Sequence, residues 1–321
     1  MVTGATGFVG GASVRRLAAD GHVVHAASTR DQALLPSGVV AVRAPDIGPD
    51  ADWREAFDGV DIVVHTAARV HVMRESVSDP LAAFRRVNVG GTLALARQAS
   101  RAGVRRLVFI SSIKVNGERT EPGRPFTVAD PPAPTDPYGV SKWEAEVGLA
   151  ALAAETGLEV VVIRPVLVYG PGVTGNFRSM LQWLDRGVPL PLGAVANRRS
   201  LIGLDNLVDL IAASIQHPAA AGERFLAADG EDLSTTELLQ RAAAALGRPA
   251  RLVPVSAAWL RAAAAAVGKT AVSERLLGSL QVDISHANQL LQWRPPVTVD
   301  ESLQRVAAWV RSGRAWESRS A

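Results

Sequence analysis

Along the first half of the chain, short runs of β-branched and aliphatic residues alternate with stretches whose apolar positions recur at helical spacing. Runs at 22–27, Val39–Arg43, 61–65, 106–111 and 159–164 read as strands, and Val2-Thr3 ends a first one. Between them, residues 8–20 read as a helix closed by the turn Asp20-Gly21, and residues 81–102 as a long helix ending at Gly103. Pro137–Thr156 reads as a third, opened by Asp136-Pro137, because proline suits the first helical position. The repeated strand–helix–strand order predicts a Rossmann-type α/β fold, a doubly wound parallel sheet with helices on both faces. Only three residues precede the first glycine, so either the strand is trimmed or the natural start lies upstream.

After Pro165 the texture changes to short elements separated by Gly and Pro, such as Tyr169-Gly170-Pro171-Gly172 and Gly187-Val188-Pro189. Helices are expected at 207–216 and Thr235–Leu246. This predicts a dinucleotide-binding domain over 1–167 with a return segment near 200–217, and a smaller α/β substrate domain over 168–321. Residues 257–267 form the most apolar helix. It is too short to span a bilayer, so it reads as a packed Ala-rich helix, with contact at a membrane surface as the lesser alternative. The tail beyond Trp316 is expected to fray.

Composition narrows the function classes. Thirty-four basic and 31 acidic side chains leave a formal charge of +3, with no basic run, which argues against nucleic acid. The absence of cysteine excludes disulfides, thiolate catalysis and Cys-ligated metal. No signal-like segment opens the chain, so a cytoplasmic protein is expected.

Thr3-Gly4-Ala5-Thr6-Gly7-Phe8-Val9-Gly10 sets three glycines at G-x-x-G-x-x-G spacing between a strand and a helix. Such a turn lets a pyrophosphate approach the backbone and meet the free N–H groups of a helix start. The next strand then runs into Ser28-Thr29-Arg30, with Asp31 past its end. A carboxylate at the strand end would bind the adenosine ribose hydroxyls, and its absence leaves room for a 2′-phosphate. NADP(H) is therefore favoured, with NAD(H) possible.

Tyr138 and Lys142 stand four apart on one helical face, in a chain with only two tyrosines and three lysines. An ammonium beside a phenol favours the phenolate and lowers its pKa, so the pair suits proton exchange with a hydroxyl or ketone as hydride moves. Ser111 and Ser112 end the strand before this helix, and a serine there can hydrogen-bond the reacting oxygen. His65 and His71 lack a metal-binding partner and read as buried or pocket residues. No G-x-S-x-G elbow supports a hydrolase.

These motifs resemble the extended short-chain dehydrogenases/reductases, the NAD-dependent epimerase/dehydratase family. The resemblance extends to Asp46-Ile47, His65-Thr66-Ala67-Ala68, Asn88 and Arg164-Pro165. It implies Ser112, Tyr138 and Lys142 as catalytic. It implies a cofactor site of Gly4, Thr6, Gly7, Phe8, Val9, Gly10, Ser28, Arg30, Asp46, Ile47, Thr66, Ala67, Ala68, Asn88, Lys142 and Pro165. Substrate contacts are implied for Ser112, Lys114, Asn176 and Arg199, the last toward a nucleotide diphosphate, and a homodimer through helices 81–102 and Pro137–Thr156. The stretch Ser112-Ile113-Lys114-Val115-Asn116-Gly117 is similar to bacterial enzymes of O-antigen precursor synthesis, among them UDP-4-keto-6-deoxy-N-acetylhexosamine 4-reductases. The expectation is NADPH-dependent C4-ketone reduction on a UDP-sugar. A UDP-sugar 4-epimerase with retained NAD is the alternative, and a non-catalytic dinucleotide sensor the remote one.

Overall fold

The computed structural model describes residues 1–30, 35–70, 79–121, 123–268 and 270–313. In chain order the first half contains β1 (Val2–Thr3), α1 (Phe8–Ala19), β2 (Val24–Ser28), β3 (Val39–Arg43) and β4 (Ile62–His65). It continues with α2 (Pro80–Phe84), a π-helical segment (Arg85–Gly91), α3 (Thr92–Arg101), β5 (Arg106–Ile110), α4 (Pro137–Thr156) and β6 (Glu159–Pro165). The helix expected over 81–102 is thus present, but widened in the middle. His71, Asp31 and the tail beyond Trp316 lie outside the described residues.

The second half contains β7 (Leu167–Tyr169), α5 (Gly175–Asp185), β8 (Arg199–Gly203), α6 (Leu204–Gln216), β9 (Arg224–Ala227) and β10 (Asp232–Leu233). It ends with α7 (Thr235–Leu246), α8 (Ala257–Ala266), α9 (Thr270–Leu277), α10 (Ser285–Leu291) and α11 (Val299–Arg311). Capping explains two of these starts: Ser234 with Glu237 and Thr298 with Glu301 each form a reciprocal capping box.

Seven strands form one sheet in the order β3-β2-β1-β4-β5-β6-β9. Every pair is parallel. Strand order reverses between β1 and β4, the switch point at which such sheets open a ligand crevice beyond their carboxyl ends. Alternation along β5 sends Val108 and Ile110 into a core shared with α1 and α6, and Leu107 and Phe109 into one shared with α3 and α4. Because both faces are covered, all five β5 residues are buried, and after Arg106 the strand reads as a continuous apolar run. A third core joins Tyr169, Phe177 and Leu181 to α7 and α11, and a small β10-β8-β7 sheet stands beside it.

Sequence reading of 257–267 as a packed helix is corrected here. No residue of α8 is buried, because only its Ala257, Leu260 and Ala264 stripe turns inward.

Candidate active site

The glycine turn comes first. Gly4 adopts φ +66°, a left-handed conformation that costs a side-chain-bearing residue energy. A Cβ at Gly10 would stand 2.2 Å from the Gly4 carbonyl oxygen and 2.7 Å from Thr66 Oγ1. The turn is therefore closed on itself. No side chain caps the start of α1 and its first turn holds no acid, so its first N–H groups have no side-chain partner. Phe8 and Val9 anchor the turn: Phe8 packs on the third core and Val9 on the first.

The β2 end is polar and free of acid among the described residues. Ser28 is buried, its hydroxyl bonded to Thr6 Oγ1 at 3.1 Å and accepting from the Arg30 N–H at 3.0 Å. Arg30 and Asp46 are exposed, and Ile47 packs on the second core. After β4, Thr66 Oγ1 donates to the Thr3 carbonyl at 2.6 Å, fixing the loop that carries Ala67 and Ala68 against β1. Pro165 is buried at the end of β6.

Asn88 sits inside the π-helical segment. Its Oδ1 accepts from the Arg69 N–H at 2.9 Å, and its Nδ2 donates to the Arg69 carbonyl at 3.1 Å and to Ser141 Oγ at 2.9 Å. The side chain clamps the loop after β4 to the helix bearing Tyr138 and Lys142, and both of its amide hydrogens are spent on that scaffold. His65 is buried, 2.7 Å from Thr3 Oγ1 and 3.0 Å from Thr92 Oγ1. Burial, with a smaller contribution from Lys142, lowers its pKa to about 3 and keeps it neutral. Among the described residues, no cluster of three or more His, Asp or Glu side chains is set to hold a metal.

Asp136 starts α4 by accepting from the Gly139 N–H at 2.7 Å. Tyr138 follows in the first turn, half-buried, its ring edge-on to Phe84 at 5.9 Å. One turn later Lys142 is 2% exposed, its ammonium 4.2 Å from the Phe109 ring centroid. No hydrogen bond to the ammonium is present among the described residues, and its nearest aromatic partner is the Phe109 face. Burial lowers its pKa to about 7 against the attraction of Glu146. Burial, and secondly Asp136, raises the Tyr138 phenol. The lowering by Lys142 expected from the sequence is not among the causes acting on the phenol.

The two serines separate. Ser111 is buried and donates to Glu146 Oε1 at 2.5 Å. Ser112 is half-buried and accepts from the Lys114 N–H at 3.3 Å, which leaves its own proton to donate. Sequence reasoning missed Glu146, four residues beyond Lys142 on the same face. It accepts from Arg164 Nε at 3.0 Å and Nη2 at 2.5 Å, while Arg164 Nη1 donates to Asn116 Oδ1 at 2.8 Å. The signal available was the i, i+4 continuation Tyr138–Lys142–Glu146.

On the substrate side the groups are less gathered. The Lys114 ammonium is held by Asp136 and, at 2.8 Å, by Glu118, which spends its charge within the protein. Asn176 is exposed in the first turn of α5. Arg199, at the start of β8, is half-buried and donates from Nη1 to the Gly278 carbonyl at 3.0 Å; burial lowers its pKa. Its neighbour Arg198 is exposed.

Residues 1–228 match the NAD dependent epimerase/dehydratase family. The chain is 44% identical over 308 residues to a UDP-glucose 4-epimerase of Vibrio cholerae, covering 96% of this chain and 94% of that protein. The fold matches the UDP-glucose 4-epimerase of Thermotoga maritima, solved with UDP-glucose, at TM-score 0.77 and 22% identity over 98% of both chains. It also matches the Bordetella bronchiseptica enzyme WbmG, solved with NAD and UDP, at TM-score 0.75 and 22% identity over 98% of this chain and 94% of that one. A glycine turn at the first strand–helix junction, a buried lysine one turn from a tyrosine and a family match over most of the chain agree: this protein belongs to the NAD-dependent epimerase/dehydratase family and is an enzyme of the oxidoreductase type.

Proposed function

We propose that the chain catalyses hydride transfer at C4 of a UDP-linked hexose or hexosamine. The observation that carries this reading is the buried Lys142 ammonium, short of acceptors, one turn from Tyr138. The residues present fit a dinucleotide. The glycine turn would take its pyrophosphate, Ser28 and Arg30 the adenosine ribose, Asp46 and Ile47 the adenine, and Lys142 the nicotinamide ribose. Thr66, Ala67, Ala68 and Pro165 would line its path. When bound, the nicotinamide supplies or accepts hydride. Tyr138 exchanges a proton with the C4 oxygen, Ser112 Oγ–H donates to that oxygen, and a charged Lys142 favours the phenolate. Arg199 takes the sugar-nucleotide diphosphate with its planar fork, and Asn176 lies at the sugar end. In this reading residues 1–167 hold the dinucleotide and 168–321 the sugar nucleotide, two copies pair through α3 and α4, and the enzyme works in the cytoplasm.

Two finer readings divide on direction. Net reduction of a C4 ketone by NADPH is supported by the end of β2 at Ser28, free of acid among the described residues, and by the stretch Lys114-Val115-Asn116-Gly117 after the serine. Epimerisation with retained NAD is supported by the Vibrio relative and by the NAD in the WbmG structure. Purified protein mixed with a UDP-4-keto-6-deoxy-N-acetylhexosamine and NADPH or NADH separates them. Loss of nicotinamide absorbance, faster with NADPH, establishes the reductase. Interconversion of UDP-glucose and UDP-galactose without net oxidation establishes the epimerase. Tyr138→Phe abolishes either reaction yet keeps cofactor affinity, and a near-full rate in that variant overturns the assignment.

A further inference from the structure

Ser112 and Tyr138 stand on two separate turns, and one ion pair joins them. Ser112 opens a 3₁₀ turn, Ile113–Val115, in which Ile113 and Val115 are buried and Lys114 between them is half-buried. The Lys114 ammonium reaches the Asp136 carboxylate at the start of α4. Asp136 divides its two oxygens: Oδ1 accepts from the Gly139 N–H at 2.7 Å and starts the helix that carries Tyr138, while Oδ2 accepts from Lys114 Nζ. The backbones also meet. A Cβ at Gly139 would stand 2.8 Å from the Lys114 carbonyl oxygen and 3.1 Å from Asp136 Oδ1, so glycine is what lets the serine turn lie this close to α4.

Among the described residues, the Lys114–Asp136 pair is the one side-chain bond between 112–117 and the start of α4. Glu118, the other partner of Lys114 at 2.8 Å, belongs to the segment that follows the serine turn and joins it to nothing else. From behind, Asn116 anchors the same turn, accepting from Arg164 at 2.8 Å and donating to the Thr127 carbonyl at 3.3 Å. A hydroxyl and a phenol that serve one oxygen need a fixed spacing, since a displacement of about 1 Å can cost roughly 100-fold in rate. Lys114 and Asp136 are 27% and 17% exposed, so the pair is partly screened and its loss leaves the fold standing.

We propose that Lys114 and Asp136 form a clasp that positions Ser112 against Tyr138. Lys114 is thus a positioning residue that acts through the protein and does not touch the sugar. The inference rests on the proposed role of Ser112 and Tyr138 at the C4 oxygen.

Hydrogen exchange on the full chain tests the clasp without any substrate. Lys114→Met speeds amide exchange in peptides covering 112–117 and 137–141 and leaves β2 and β3 as they were. Lys114→Arg, which keeps a cation at the carboxylate, exchanges like the parent. Kinetics follow with UDP-galactose or the UDP-4-keto-6-deoxy-N-acetylhexosamine, whichever the parent turns over. Lys114→Met lowers kcat about 10- to 100-fold with KM within about twofold, melts within about 2 °C of the parent, and is rescued by Lys114→Arg. Asp136→Asn keeps a helix cap but breaks the pair, and combined with Lys114→Met it lowers kcat no further than the worse single variant. Unchanged exchange in Lys114→Met overturns the proposal. So do losses that multiply in the double variant, or a raised KM with kcat intact, which assigns Lys114 to the substrate. A near-full rate in Tyr138→Phe refutes the functional reading instead, and is told apart by exchange that still rises in Lys114→Met.

Discussion

Replacing Glu146 by Gln removes one charge from a closed set of buried bonds. The Glu146 carboxylate and Arg164 guanidinium are 3% and 1% exposed, so neither is screened by water. The carboxylate accepts from Arg164 twice and from Ser111 once, and Arg164 spends a further N–H on Asn116. The amide keeps the shape but leaves the guanidinium uncompensated, a change that costs about 3–5 kcal/mol. At roughly 2 °C per kcal/mol for a chain of this size, the melting temperature falls by about 6–10 °C. Glu144, two residues away on the same helix, is the control. Its pair with Arg85 is half exposed, so Glu144→Gln costs under about 1 kcal/mol. The double variant Glu146→Gln/Arg164→Met regains at least half of the loss, because no lone charge stays buried. Differential scanning calorimetry on the four proteins decides. A Glu146→Gln chain that melts within 2 °C of the parent, or no recovery in the double variant, refutes the reasoning.

Gly10→Ala brings a Cβ to within 2.2 Å of a backbone oxygen, so the turn must open; a loss of about 1–3 kcal/mol is expected together with loss of dinucleotide affinity, read by calorimetry and fluorescence titration. His65 gives a pH signature. Its folded pKa of about 3 lies below the ordinary 6.5, so the unfolded chain binds the extra proton and stability is lost as pH falls through 6.5. That amounts to about 2 kcal/mol by pH 5, and urea titrations should show it in the parent chain but not in His65→Gln.

Much of the sheet is visible in the sequence because its periodicities are local. β3 and α4 carry the bounds that their apolar patterns predict, and α7 starts at its capping box. The π-helical widening at Arg85–Gly91 was not visible, since it answers to Asn88 reaching Arg69 and Ser141, 19 and 53 residues away. The roles of the serines are likewise nonlocal. Only the pairing of Ser111 with Glu146, 35 residues on, shows which hydroxyl is spent. Lys114 reads from its place in the sequence as a substrate contact, yet Asp136, 22 residues later, holds its ammonium. The seventh strand, β9, lies 59 residues beyond Pro165, and its place against β6 is a long-range pairing that no local pattern announces.

Lys142 ties the electrostatics of the site to its chemistry. Its pKa of about 7 records a cation that burial penalises and that lacks an acceptor among the described residues. Tyr138 is pushed the other way, toward the neutral phenol, by the same desolvation. The arrangement expected from the sequence, an ammonium that draws the phenol toward ionisation, would need Lys142 to carry its proton. Ribose hydroxyls that accept from the ammonium favour the charged form and raise its pKa. Dinucleotide binding then takes up a proton wherever the free protein has lost one. By linkage, the dissociation constant is flat below pH 7 and rises above it, approaching tenfold per pH unit until the pKa of the complex is reached. Calorimetric titration between pH 6 and 9, in two buffers of different ionisation enthalpy, reads both the slope and the proton taken up. In Lys142→Met the slope disappears and affinity at pH 6 is weaker than in the parent chain. A slope that survives in Lys142→Met places the titrating group elsewhere and removes Lys142 from the cofactor site.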